Sequence, residues 1–196
     1  MLCFAAPGGS GVSDSSIVDY DGLFEKRHRG FMPGRQQAAT EVARLLAIAR
    51  KEIGIREASE NSGPRVDEYN AYVGVRKAKW CASFVSFCFG QAGYQEPKTA
   101  WSPALFPTGK LAKEAMPGLV IGIYFDQLKR IGHCGIVERM QGDFVVSIEG
   151  NTNVSGSREG DGVYRKLRHR RTIAQYADWI TMPHEIASIP RNDERR

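Results

Sequence analysis

Cysteine acts as a nucleophile only as a thiolate, so it needs a base within reach and a group that holds the base in one tautomer. Cys81, His133, Glu149 and Asn151 have the types and the order for this chemistry. Glu149 and Asn151 lie two apart, which on a strand points both side chains to one face. The other cysteines read differently. Cys88 shares a helical stripe with Cys81 but lies about 10.5 Å along the axis, beyond disulfide reach, and reads as a buried apolar residue. Cys134 adjoins His133 on a strand and is expected to face away from whatever His133 faces. Cys3 has no assigned role. Structural zinc sites bring ligands paired at short spacing, and this chain has no such pair, so neither a metal nor another cofactor is expected.

The elements that position these groups follow from hydrophobic periodicity. Ala39, Val42, Ala43, Leu46, Ile48, Ala49 and Ile53 recur at helical spacing, with Gly54 as the stop. A second, short helix is predicted from Gly63-Pro64 through Tyr69 and Tyr72 to Gly74. A third begins near Trp80, carries Phe84, Val85, Phe87 and Phe89, and ends at Gly93. Cys81 therefore falls in a first helical turn, where unpaired amides and the macrodipole favour a thiolate. Beyond it, 119–125, 135–138, 144–148 and 163–167 are β-rich runs, the second and third joined by a hairpin turn at Met140-Gln141-Gly142-Asp143. Helices first and an antiparallel sheet afterwards make an α+β domain.

Trp80-Cys81-Ala82-Ser83-Phe84-Val85, then Gly132-His133-Cys134-Gly135-Ile136-Val137, then Ile148-Glu149-Gly150-Asn151-Thr152 together resemble the CHAP family of cysteine, histidine-dependent amidohydrolases/peptidases. These are papain-like enzymes related to NlpC-type wall hydrolases. The resemblance runs from about Val42 to Ile180 and includes Glu60-Asn61-Ser62-Gly63. Where the family often has Gly-Asp before its first strand this chain has Gly118-Leu119, and Cys134 stands where a small or β-branched residue is usual. The resemblance implies a papain-like fold with the nucleophile at a helix N-terminus packed on a C-terminal antiparallel sheet. It implies Cys81 as nucleophile, His133 as general base, and Glu149 orienting the imidazolium. Asn151 would fix the imidazole or help polarise the scissile carbonyl. The implied substrate is an amide of bacterial peptidoglycan. The same Cys, His and acid would also serve a protein-modifying transglutaminase, deamidase or acyltransferase, and a non-catalytic wall-binding module is a third reading. Trp80 and Trp101 read as groove aromatics or as core, and Asp126 and Arg130 as contacts for charged peptide ends or as solvated loop residues.

The 196 residues are 42% hydrophobic and 25% charged, with mean hydropathy −0.36, a composition of one soluble globular domain. No run approaches the ~18 apolar residues of a membrane helix, so no membrane insertion is expected. The net charge of +5 equals the five cations of the acid-free run Arg165-Lys166-Leu167-Arg168-His169-Arg170-Arg171. That run reads as a solvated strand end or as a surface for a polyanion such as a bacterial envelope, and nucleic acid is not implied. Residues 1–34 read as a flexible or loosely docked arm, 35–185 as the catalytic domain, and 186–196 as a charged tail. Leu2-Cys3-Phe4-Ala5-Ala6 is too short for a secretion signal and lacks a basic leader. The expected route is synthesis in the cytoplasm, then action in the periplasm or wall after injection as an antibacterial effector or lysis-type release as a phage lysin. An injected effector implies a cognate immunity protein.

Overall fold

The computed structural model describes residues 34–154 and 160–180. The expected arm (apart from Gly34), Cys3 and the charged tail lie outside the described residues. Three helices come first: α1 (Gly34–Lys51), α2 (Pro64–Tyr72) and α3 (Cys81–Gln91). Their ends follow the sequence signals. Pro64 opens α2, where its missing N–H costs nothing, and Gly54, Gly74 and Gly93 take positive φ just past the three helices.

Strands β1 (Leu111–Ala112), β2 (Val120–Phe125), β3 (Arg130–Gln141), β4 (Phe144–Thr152), β5 (Gly162–His169) and β6 (Gln175–Ala177) form one antiparallel sheet in the order β1-β6-β2-β3-β4-β5. The molecule is thus α+β, as the sequence predicts. β3 begins five residues earlier than the β-rich run 135–138 suggests, because Arg130 and Ile131 pair with Phe125 and Tyr124 at the end of β2, beyond an irregularity at Gly132. His133 therefore lies inside β3, three residues from its start. β1 and β6, of two and three residues, are too short to show alternation in the sequence.

The centre of the domain is α3, buried from Cys81 to Phe89 and apolar there except for Ser83 and Ser86, whose hydroxyls donate to Asn70 Oδ1 and the Thr99 carbonyl. It packs against α1, α2, β3 and β4. Tyr69, Trp80, Phe84, Phe87, Leu45, Ile136 and Ile148 fill the space between helices and sheet, each large side chain contributing roughly 1.5–3 kcal/mol of burial. A smaller cluster of Leu119, Ile121, Val137, Val145 and Ile173 forms a second core. The approach of β4 to α3 requires Gly150, since a Cβ there would lie 2.6 Å from the Phe84 ring and 2.8 Å from Trp80. No helix among the described residues is long and apolar enough to cross a membrane.

Candidate active site

Cys81 is the first residue of α3, preceded by an N-cap, Trp80, that makes no side-chain cap hydrogen bond. The first-turn amides of the helix thus keep their partial positive charge next to the thiol. Ser102, in the 3-10 turn Ser102–Leu105, approaches with its Oγ 3.4 Å from Cys81 Sγ. β3 brings His133 to the same point. Its Nε2 lies 2.8 Å from Glu149 Oε2 on β4, which leaves Nδ1 for the thiol side.

Glu149 is wholly buried, and each of its oxygens is satisfied twice. Ser147 Oγ donates to Oε1 at 2.6 Å, and Arg168 on β5 grips both oxygens, Nε to Oε1 at 2.9 Å and Nη2 to Oε2 at 2.5 Å. The local sequence makes room for this carboxylate. A Cβ on Gly135 would sit 2.5 Å from Glu149 Cγ, so the glycine that follows His133-Cys134 is a steric requirement of the acid across the ladder.

These contacts set the protonation states. For Glu149, burial favours the neutral acid, but the Arg168 fork and then His133 outweigh it and hold the carboxyl far below its usual range. For His133, burial disfavours charge, yet hydrogen bonds to Cys81 and Glu149 and their negative charge push the imidazole up to about 9. The Cys81 thiol is lowered well below the usual cysteine range. Hydrogen bonding from Cys134 is the largest cause, burial opposes it, and His133 and Ser102 add to the lowering. Burial, followed by the charge and hydrogen bonding of Cys81, pushes Cys134 well above that range. These shifts run in the directions that favour a thiolate at Cys81, a thiol at Cys134 and an imidazolium at His133. Two corrections follow. Cys134 does not turn away from the site; strand alternation does seat it in the core with Ile136, but Cys81 at the helix tip belongs to that same core, so neighbouring residues both reach the thiol. Arg168 belongs to the site rather than to a surface patch.

A cleft of about 470 Å³ opens in front of Cys81 and His133. Trp101, 59% exposed, and Arg130 line it, as the sequence suggests. Trp80 does not: it is fully buried and donates its indole N–H to Glu57 Oε1 at 2.6 Å, a core residue rather than a groove aromatic. Asp126 lies in the exposed β2–β3 turn and is not among the lining residues. Asn151 lines the cleft but donates its amide to Glu57 Oε1 at 3.2 Å and to the Gly160 carbonyl at 3.4 Å, rather than to His133. Its φ of 52° marks the irregularity in the pairing of β4 with β5 between Glu149 and Thr152, which breaks the alternation linking it to Glu149. Cys88 is buried and its thiol is pushed well above the usual range by desolvation, consistent with packing.

Sequence reasoning misses Ser102, Ser147, Arg168 and Glu57. Only Ser147 and Arg168 carry a signal: Ser147 stands two before Glu149, and Arg168 alternates with Lys166 on a strand that must pair with β4. Three more cations of the basic run are engaged: Arg165 with Glu138 at 2.7 Å, Lys166 Nζ with the Asn153 carbonyl at 2.5 Å, and Arg170 with Asp143 at 3.3 Å.

No family model matches this chain, and no curated protein matches it. Among solved structures, that of Ly7917 with the hydrolyzing product of MDP is similar to this chain at a TM-score of 0.42 and 15% sequence identity, covering 69% of this chain and 61% of that chain. The chain thus spans about three fifths of the length of the solved structure it matches.

Proposed function

We propose that this protein is a cysteine-dependent hydrolase of the papain-like CHAP type that cleaves an amide bond of bacterial peptidoglycan. The observation that carries the chemistry is that Cys81 and His133 line one cleft, with His133 Nε2 held 2.8 Å from the buried Glu149 carboxylate behind them. The substrate rests on the resemblance of the three motifs around these residues to the CHAP pattern.

In this mechanism the Cys81 thiolate attacks the amide carbonyl, and the oxyanion forms next to the uncapped first-turn amides of α3. His133, an imidazolium at neutral pH, gives its proton to the departing amine as the C–N bond breaks, leaving an acyl-enzyme. The neutral imidazole then takes a proton from water, the hydroxide attacks the thioester, and the thiolate leaves. Glu149 acts through His133 as a positioning residue, and Arg168 and Ser147 act through Glu149. The reaction would take place in the periplasm or wall.

The test is mass analysis of muropeptides released from purified sacculi. The parent should release soluble fragments and Cys81→Ala should release none while melting as the parent does. Release by the alanine variant at the parent's rate would overturn the thiol mechanism. An intact acceptor protein gaining about one mass unit, with no sacculus cleavage, would point to deamidation instead.

A further inference from the structure

The cleft in front of Cys81 has one sign of charge. Lys79, Arg130, Lys166 and Arg168 line it, and no lining residue among the described ones is acidic. The four cations differ in what they can offer a ligand. The Arg168 guanidinium is committed to Glu149 through both oxygens, so its charge is matched behind the cleft floor. Among the described residues, Arg130 and Lys166 contact neutral acceptors instead. Arg130 Nη1 donates to the Ile131 carbonyl at 2.9 Å and Lys166 Nζ to the Asn153 carbonyl at 2.5 Å. Both side chains are half-buried at the cleft.

Their placement brackets the reacting atoms. Arg130 opens β3 three residues before His133, Lys166 lies on β5, and β4 with Glu149 runs between those two strands. An approaching substrate therefore meets a cation on either side of the His133–Glu149 pair, in a concave site where the field is focused. Beside them the lining is apolar, with Trp101 at 59% and Leu128 at 49% exposure. An apolar wall beside two cations suits a peptide segment that carries a carboxylate next to the bond being cut.

We propose that the cleft selects acyl substrates bearing a free carboxylate close to the scissile amide, and that Arg130 and Lys166 are the specificity-determining residues that receive it. This deepens the hydrolase reading and rests on it. Lysine and arginine serve differently: the Arg130 fork matches both carboxylate oxygens, whereas Lys166 acts as a compact point charge.

Two measurements test it independently. The first compares cleavage of muropeptides with free carboxylates against the same muropeptides converted to carboxamides with carbodiimide and ammonia. The parent should prefer the carboxylate form by about tenfold or more in kcat/KM, and in Arg130→Gln/Lys166→Gln that ratio should fall toward one. Arg130→Glu should reverse the preference. The second needs no turnover: the rates at which anionic iodoacetate and neutral iodoacetamide alkylate Cys81, mapped by peptide mass. Their ratio in the folded parent should exceed that for Cys81 in the urea-unfolded chain, and should drop by about two- to tenfold in the double variant. Equal cleavage of both muropeptide forms by the parent, or an alkylation ratio that the double variant leaves unchanged, overturns the proposal. Cleavage of neither form together with the expected drop in alkylation ratio sinks the wall-hydrolase reading and supports the anion-selecting cleft.

Discussion

Replacing Arg168 by Gln tests whether the catalytic pair is held from behind by a buried ion pair. Arg168 supplies two of the four hydrogen bonds to Glu149, a carboxylate with no solvent exposure. Removing one partner of a buried pair typically costs about 3–5 kcal/mol, because the remaining charge is left without compensation. The Arg168 side chain is itself 26% exposed, so water can enter the vacated space, and a loss of about 2–3 kcal/mol is the reasonable expectation. The chemical effect follows from the protonation chain. Without the guanidinium the Glu149 carboxyl rises from its depressed value and supports the imidazolium less. His133 then drops from about 9 toward its ordinary 6.5, and the Cys81 thiol rises. Both limbs of the pH profile move inward. If His133 falls by about 1.5 pH units, activity at pH 8.5 should decline about sixfold more than at pH 7. Iodoacetamide labelling of Cys81 at pH 5 should slow as well, since less of it is thiolate. Arg168→Lys, which keeps the charge but loses the fork, should fall between. Urea unfolding and the pH dependence of kcat/KM and of Cys81 labelling are the assays. An alkaline limb still near 9, with stability within about 0.5 kcal/mol of the parent, would refute the reasoning.

Three other perturbations have defined outcomes. Cys134→Ala removes the largest cause of the lowered Cys81 thiol, so labelling of Cys81 at pH 5 should slow about tenfold, while Cys134→Ser, which keeps a donor, should largely restore it. Gly135→Ala puts a Cβ 2.5 Å from Glu149 Cγ and 3.0 Å from the Ile148 carbonyl; it should cost about 1–3 kcal/mol in thermal or urea unfolding and reduce kcat far more than KM, because the displaced group is the one that orients His133. Glu138 is held down to about 2, chiefly by the hydrogen bond from Arg165 and then, against burial, by Arg50. A carboxyl depressed in the folded state adds stability above 4.5 that is lost as pH falls toward 2, so Glu138→Gln should cost about 2 kcal/mol at pH 7 and progressively less by pH 3, read from urea midpoints at the two pH values.

Much of this molecule is legible in its sequence because local rules govern it. The helices announce themselves through apolar spacing, Pro64 and the glycines that follow them, and the run from Trp80 to Gly93 reads as the helix it is. Cys81 in a first turn, His133 on a strand and Glu149 on the next strand are also local statements. The hairpin turn at Gly142-Asp143 sets the two strands side by side. Composition, by contrast, misleads about charge: the +5 concentrated in 165–171 looks like a surface property, yet Arg165 and Arg168 turn to buried carboxylates.

What the chain determined by itself was the set of elements and the order of thiol, imidazole and acid along it, since helix and strand periodicity depend only on neighbours within a few residues. The tertiary structure decided which groups converge. Ser102 reaches Cys81 from 21 residues away, Arg168 reaches Glu149 across a strand pair, and Glu57 takes hydrogen bonds from Trp80 and Asn151 over 23 and 94 residues. It also turned Cys134 into a partner of Cys81, because period two tells which face of a strand a residue takes and nothing about what packs there. Contacts of such sequence separation follow from sheet order and from the seating of α3, and these depend on how whole surfaces bury one another.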